Sequence, residues 1–262
     1  MAWPGRPALW AALLALPLAG CAAGAGSVHY APGEDSFIAG KDLYQSGDMA
    51  EAAAALKAYL DATPGGAHAE EAAFLLGLSY MRSRQSTLAA VELRRYIELY
   101  PASPRLAEVE YSLAQCYWDE SRPAPYDQEK TSLARDELQR FLALYPSSPL
   151  QPQARQLLTL VRARLAEKEL LNARLYLHLR QPGSTLFYSQ RVVQEYSDTP
   201  WLPEALYLCG EALAEQGKAA EARSAWSRLV QDCAGTEWAA RAQQRLADSA
   251  PDGRPDHPPE HP

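Results

Sequence analysis

From residue 36 onward, apolar residues recur three and four positions apart, the spacing that lines one face of an α-helix. Ala and Leu dominate these stretches, β-branched runs are absent, and Pro and Gly fall between them. The pattern predicts an all-α chain, and it repeats. Helix endings recur as YLDATP, YIELYP, FLALYP, VVQEYS and LVQDCA, closing at Pro64, Pro101, Pro146, Ser197 and Ala234, with spacings of 37, 45, 51 and 37. Counting back 24 residues in the regular units meets Gly40, Gly77 and Gly210, each followed three later by Leu43, Tyr80 or Leu213. Counting back 12 meets Ala52, Ala89, Ala134 and Ala222, in every unit but the fourth. Small residues let two antiparallel helices approach closely, and bulky ones fill the adjacent gap. Pro then stops the second helix, because it lacks an N–H and clashes with the preceding turn.

This is the pattern of the tetratricopeptide repeat (TPR), a helix–turn–helix unit. It predicts a TPR-type α-solenoid of about five helix pairs over residues 36–248. The spacing of 45 holds eight extra residues in DESRPAPYDQEK, a loop between the helices of unit three. The spacing of 51 holds fourteen more, close to four helical turns, which lengthen the helix running through ARQLLTLVRARLAEKELLNARLYLHL. In unit four Ala173 and Tyr176 keep the register, with the turn marked by Pro182-Gly183. The tail from Ser249 to Pro262 is polar and Pro-rich, a composition that favours disorder.

The start of the chain follows another logic. Ala8–Gly20 is an apolar run of thirteen residues after a single basic residue, Arg6. That is too short for a spanning helix, which needs about twenty. A basic start, a short apolar run and a small-residue exit predict a signal peptide over residues 1–20. The exit Leu18-Ala19-Gly20-Cys21 resembles the lipobox of bacterial lipoprotein precursors. That resemblance implies cleavage before Cys21 and lipid on its thiol and amine, with residues 21–35 as a flexible tether. One acyl chain holds a protein only marginally, but three anchor it durably. Ala22 stands where an Asp would resemble an inner-membrane retention signal, which points to the periplasmic face of the outer membrane.

Charge narrows the partners. The full chain carries a net charge of −7, and loss of Arg6 makes it −8. With no basic cluster it is a poor nucleic-acid binder and lacks a polybasic patch for anionic lipid. Beside Cys21 remain Cys116, Cys209 and Cys233. The periplasm is oxidising, but a hairpin centred on Gly217 sets Cys209 opposite Trp226, so all three read as buried thiols. No G-x-S-x-G, phosphate-binding glycine loop or H-E-x-x-H occurs. His68 and His178 join no second ligand at metal spacing, and His257 and His261 sit in the tail. Glu167 and Lys168 read as a solvated face. The residues predict a binding protein rather than an enzyme, with no metal and no cofactor beyond the lipid on Cys21.

A second stripe runs along the first helices. Steps of 37 align Phe37, Phe74 and Tyr111; seven residues on lie Tyr44, Met81 and Trp118, with Lys41, Leu78 and Gln115 between. Such i, i+4, i+7 positions share one helix face, rotated from the face that meets the second helix. Two readings stand. The stripe is an aromatic groove for a peptide with apolar anchors, with Lys41 at its edge for a terminal carboxylate, or it is packing between repeats.

A lipobox, five units, a loop inside the third and a long helix into the fourth together resemble the BamD (ComL-like) family of outer-membrane β-barrel assembly lipoproteins. Further echoes are DQEKTSLA, ALYPSSP, RLAEKELLNARLY and EYSDT, over roughly Ser36–Ala234. The resemblance implies a scaffold that binds a barrel-forming insertase, other assembly lipoproteins and the C-terminal peptides of unfolded outer-membrane proteins. It implies docking of the insertase near Tyr188, where the family often has Arg, with Arg191 one turn on. Tyr126 likewise stands where Arg is common. The alternative is a different lipid-anchored TPR scaffold coordinating envelope or peptidoglycan assembly.

Overall fold

The computed structural model describes residues 33–249, so the expected signal peptide, Cys21, residues 21–32 of the tether and residues 250–262 of the tail lie outside the described residues. Those described form eleven helices and no strand. The first six are α1 (Glu34–Ser46), α2 (Met49–Ala62), α3 (Ala69–Arg82), α4 (Ser86–Leu99), α5 (Leu106–Glu120) and α6 (Glu129–Leu144). The others are α7 (Gln151–His178), α8 (Pro182–Glu195), α9 (Leu202–Glu215), α10 (Ala219–Asp232) and α11 (Glu237–Asp248). Each helix packs on the next, and the first ten form five antiparallel pairs of a TPR-type solenoid. The single helix α11 closes the end, covering α9 and α10 with Ala239 and Ala242. First helices also touch the next first helix, α1 to α3, α3 to α5, α7 to α9 and α9 to α11, and so share one inner face. Only α5 and α7 fail to pack closely along that face.

The small positions act by contact. A Cβ on Gly40 would lie 2.7 Å from Leu56 Cγ, and one on Gly77 would lie 2.6 Å from Leu93 Cδ2. At Gly210 it would collide with the Trp226 indole. Ala52, Ala89, Ala134 and Ala222 are all buried, and the fourth unit uses Thr185 instead. Its hydroxyl stays satisfied by donating to Gln181 O at 3.1 Å, as a buried polar group must be. Five residues before each closing mark a large side chain fills the core: Tyr59, Tyr96, Phe141, Val192 and Leu229.

The turn inside a pair is the same in four units. In each, a residue with positive φ follows the first helix: Gly47 (96°), Arg84 (62°), Arg180 (57°) and Gly217 (77°). The residue after it donates its N–H to a carbonyl five positions back, for example Gln85 N to Tyr80 O at 2.9 Å and Gln181 N to Tyr176 O at 2.9 Å. This is the left-handed helix stop that Gly favours. A side chain there costs about 1–2 kcal/mol, and two of the four positions are arginines.

The structure differs from expectation at the unit-four turn and at Cys233. The unit-four turn is Leu179–Gln181, while Pro182 opens α8 at a position where its missing N–H costs nothing. Cys116 and Cys209 are buried, but Cys233 is half-exposed; all three are free thiols. Burial pushes the Cys116 thiol up to about 12 and Cys209 to about 11, so neither is poised as a nucleophile. The expected fourteen-residue extension is present: α7 has 28 residues, against 14 in α3 or α9.

Candidate functional site

Where α5 and α7 part, a cavity of about 520 Å³ opens on the inner face. Met81 from α3, Tyr111, Gln115 and Trp118 from α5, and Leu157 and Leu160 from α7 line it. Tyr111, Gln115 and Trp118 share one face of α5 because they are four and three residues apart. The rim is polar, with Arg82, Arg84 and Asp119 on one side and Gln153 and Gln156 on α7. Leu160 is 52% exposed and so offers apolar surface at the cavity wall.

The two irregularities of the repeat build this site together. The loop after α5 is tied to the extended α7: Arg164 Nη1 donates to Ser121 Oγ at 3.0 Å, and Lys168 Nζ donates to Pro125 O at 3.0 Å. Lys168 is therefore a loop anchor, not simply part of a solvated face. The Arg164 guanidinium lies 4.2 Å from the centre of the Trp118 ring. Such a cation–π contact fixes one face of the indole while the residue still lines the cavity.

Of the nine residues in the stripe, the structure brings Met81, Tyr111, Gln115 and Trp118 together. Phe37, Phe74 and Leu78 are 4%, 8% and 6% exposed and belong to the core, which corrects their placement in a groove. His68 stacks on Phe37 at 4.4 Å, and the Arg105 guanidinium covers Phe74 at 4.7 Å. Both covering residues precede a first helix, so each repeat closes over the aromatic of the one before. Lys41 is held by Glu71 at 2.9 Å, away from the cavity lining, and Tyr44 is half-buried with Arg82 over its ring at 4.7 Å. The stripe omits Leu157, Leu160, Arg82 and Arg84. The lengthened α7 is the sequence signal for the first two.

Tyr188 and Arg191 lie on α8, where the Tyr188 ring stacks on Tyr176 from α7, centroids 5.3 Å apart. Phe187 meets the edge of Tyr188 at 5.1 Å and is itself 57% exposed. Arg191 reaches Glu169 Oε1 at 3.0 Å and Glu195 at 3.6 Å. Burial raises the Glu169 carboxyl above the ordinary range, and Arg191 opposes that rise. Arg191 is thus engaged within the fold, its guanidinium also lying 6.0 Å from the centre of the Phe187 ring, and Phe187 is the exposed aromatic of α8.

The family model YfiO, described as an outer membrane lipoprotein, matches residues 31–229. The chain belongs to this family. A curated relative from Caulobacter vibrioides, "Outer membrane protein assembly factor BamD", is 27% identical over 251 residues, covering 94% of this chain and 82% of the relative. Among solved structures, MamA aligns at 20% identity over 84% of this chain and 96% of its own, with a TM-score of 0.39. A thermophilic TPR protein of Thermus thermophilus aligns at 16% identity over 82% and 96%, with a TM-score of 0.33. In this YfiO-family chain, no described helix is long and apolar enough to cross a membrane. A second inner-face cavity, of about 510 Å³, lies among α7, α9 and α11. Its charges are paired: Arg174 with Glu204, Arg180 with Glu215 and Arg245 with Glu211.

Proposed function

We propose that this chain is a lipid-anchored scaffold of outer-membrane β-barrel assembly, held by Cys21 at the periplasmic face of the outer membrane. It acts by binding rather than catalysis. On this reading the cavity of Met81, Tyr111, Gln115, Trp118 and Leu160 receives a C-terminal peptide of an unfolded outer-membrane protein. The aromatic floor seats an apolar anchor, which supplies most of the affinity in such sites. The α7–α8 surface around Phe187, Tyr188 and Arg191 docks the barrel-forming insertase, and other assembly lipoproteins share the remaining faces. The observation that carries the reading is the family match over residues 31–229, supported by a relative named as an assembly factor. The open seam between α5 and α7 supports the peptide site.

The test is affinity capture of the full-length protein from membranes, comparing wild type with Phe187→Ser. The account expects a barrel-forming outer-membrane protein with wild type and weaker recovery with the variant. Phe187 suits this better than Arg191, whose removal would leave the Glu169 carboxylate without its cation. Capture of peptidoglycan enzymes without any barrel protein would favour the other TPR-scaffold reading and overturn this one.

A further inference from the structure

Arg84 occupies a backbone conformation that the chain gives to glycine in two equivalent turns. Gly47 and Gly217 hold the corresponding positive-φ positions in units one and five, while Arg84 holds it in unit two at φ 62°. A glycine would remove the conformational cost, so the side chain must be sought as the reason. The only other such non-glycine among the described residues is Arg180. Each of the two arginines lines one of the two large inner-face cavities. Arg180 is paired with Glu215, whereas among the described residues Arg84 has no ion pair and Arg82 beside it only faces the Tyr44 ring. Two cations therefore stand at one end of an apolar floor, opposite Leu157 and Leu160. Asp119 is the acidic residue of the lining and, like both arginines, is exposed to solvent, so the charged groups of the lining sum to one net positive charge.

We propose that Arg84, flanked by Arg82, receives the terminal carboxylate of a peptide whose last apolar side chains occupy the Met81–Trp118–Leu160 floor. This rests on the peptide-site reading above and moves the anion contact from Lys41, which Glu71 already holds, to the turn after α3. A guanidinium suits the role because its planar fork can donate two parallel N–H bonds to one carboxylate. The turn fixes where the side chain leaves the backbone, while its rotamers become ordered only on binding.

The test uses the full-length chain and two forms of one ten-residue peptide of alternating apolar and polar residues ending in Phe: free acid and C-terminal amide. Wild type should bind the acid about two- to fivefold more tightly than the amide, the range of an exposed ion pair. Arg84→Gly should erase that preference by weakening the acid alone, with an unchanged or higher melting temperature because the turn relaxes. Arg84→Lys should retain part of the preference. Equal binding of acid and amide by wild type, still weakened by Leu160→Ser, would keep the peptide site and overturn the carboxylate contact. An Arg84→Gly protein that keeps the preference, or loses both peptides equally, would overturn it too. Binding of neither peptide to wild type would end both readings.

Discussion

Gly77 offers the sharpest check of the repeat frame. Alanine there places a Cβ 2.6 Å from Leu93 Cδ2 and 3.0 Å from Cγ, both closer than carbon atoms pack. Leu93 is fully buried, so it cannot swing into solvent, and either its side chain repacks within the core or the two helices part. Overpacking of this kind costs about 1–3 kcal/mol. Against it stands the helix preference of Ala over Gly, about 0.8–1.0 kcal/mol. The net effect is a loss of roughly 0–2 kcal/mol, and Gly77→Leu, with three further carbons in the same seam, should lose more. Gly183 is the internal control. It lies in the first turn of α8 with nothing within 4 Å of the position a Cβ would take, so Gly183→Ala should leave stability unchanged or raise it by up to about 1 kcal/mol. Urea unfolding followed by circular dichroism in the far ultraviolet measures all three. For a domain of this size 1 kcal/mol moves the melting temperature by about 2–4 °C. A Gly77→Leu protein as stable as wild type would refute the frame, as would loss at Gly183 equal to loss at Gly77.

Trp118→Ala should weaken a client-derived C-terminal peptide more than tenfold by titration, while Lys41→Ala changes it little; normal binding by Trp118→Ala with a lowered melting temperature would assign the indole to packing alone. Arg174 makes a bidentate contact with the buried Glu204 at 2.5 and 2.6 Å, but it is itself part-exposed, so Arg174→Ala should destabilise α7 against α9 by about 1–3 kcal/mol, read by hydrogen exchange in those helices. Arg162 hydrogen bonds hold the Asp198 carboxyl below the ordinary aspartate range. The stability from that contact is present above the unfolded pKa and is lost as pH falls through the depressed one; Arg162→Met should flatten this acid limb in unfolding curves, and an unchanged limb would remove the pair from the account. Cys21→Ser should leave an uncleaved or soluble protein, checked by membrane fractionation with the insertase depleted.

The sequence resolves best what is local and repeated. Gly40, Gly77 and Gly210 recur at one register because a Leu or Trp side chain of the paired helix packs against each and admits nothing larger, and the length of α7 follows from a gap in that register. It resolves less where one structural position accepts unlike residues. Pro182 reads as a turn marker although proline also opens helices, and Arg180 carries no sign of its positive φ because glycine is the usual signal. The stripe of Phe37, Phe74 and Tyr111 has one register but two environments. His68 and Arg105 cover the first two, whereas Tyr111 lies at the seam where α5 and α7 diverge. That divergence is a property of the stacked units, and beside it the loop of unit three is tied to the long helix of unit four by Arg164 and Lys168. Helical spacing within a single unit does not contain it.

The proposed role requires that the inner cavity hold outer-membrane clients on their way to the barrel-forming insertase. A photo-crosslinking amino acid at Leu160, exposed on the cavity wall, tests it in intact cells. The account predicts crosslinks to newly made β-barrel proteins, mapping near their C-termini and lost when the client's terminal aromatic is removed. Efficient crosslinking at Leu160 to other envelope proteins, with no barrel client among them, would contradict it.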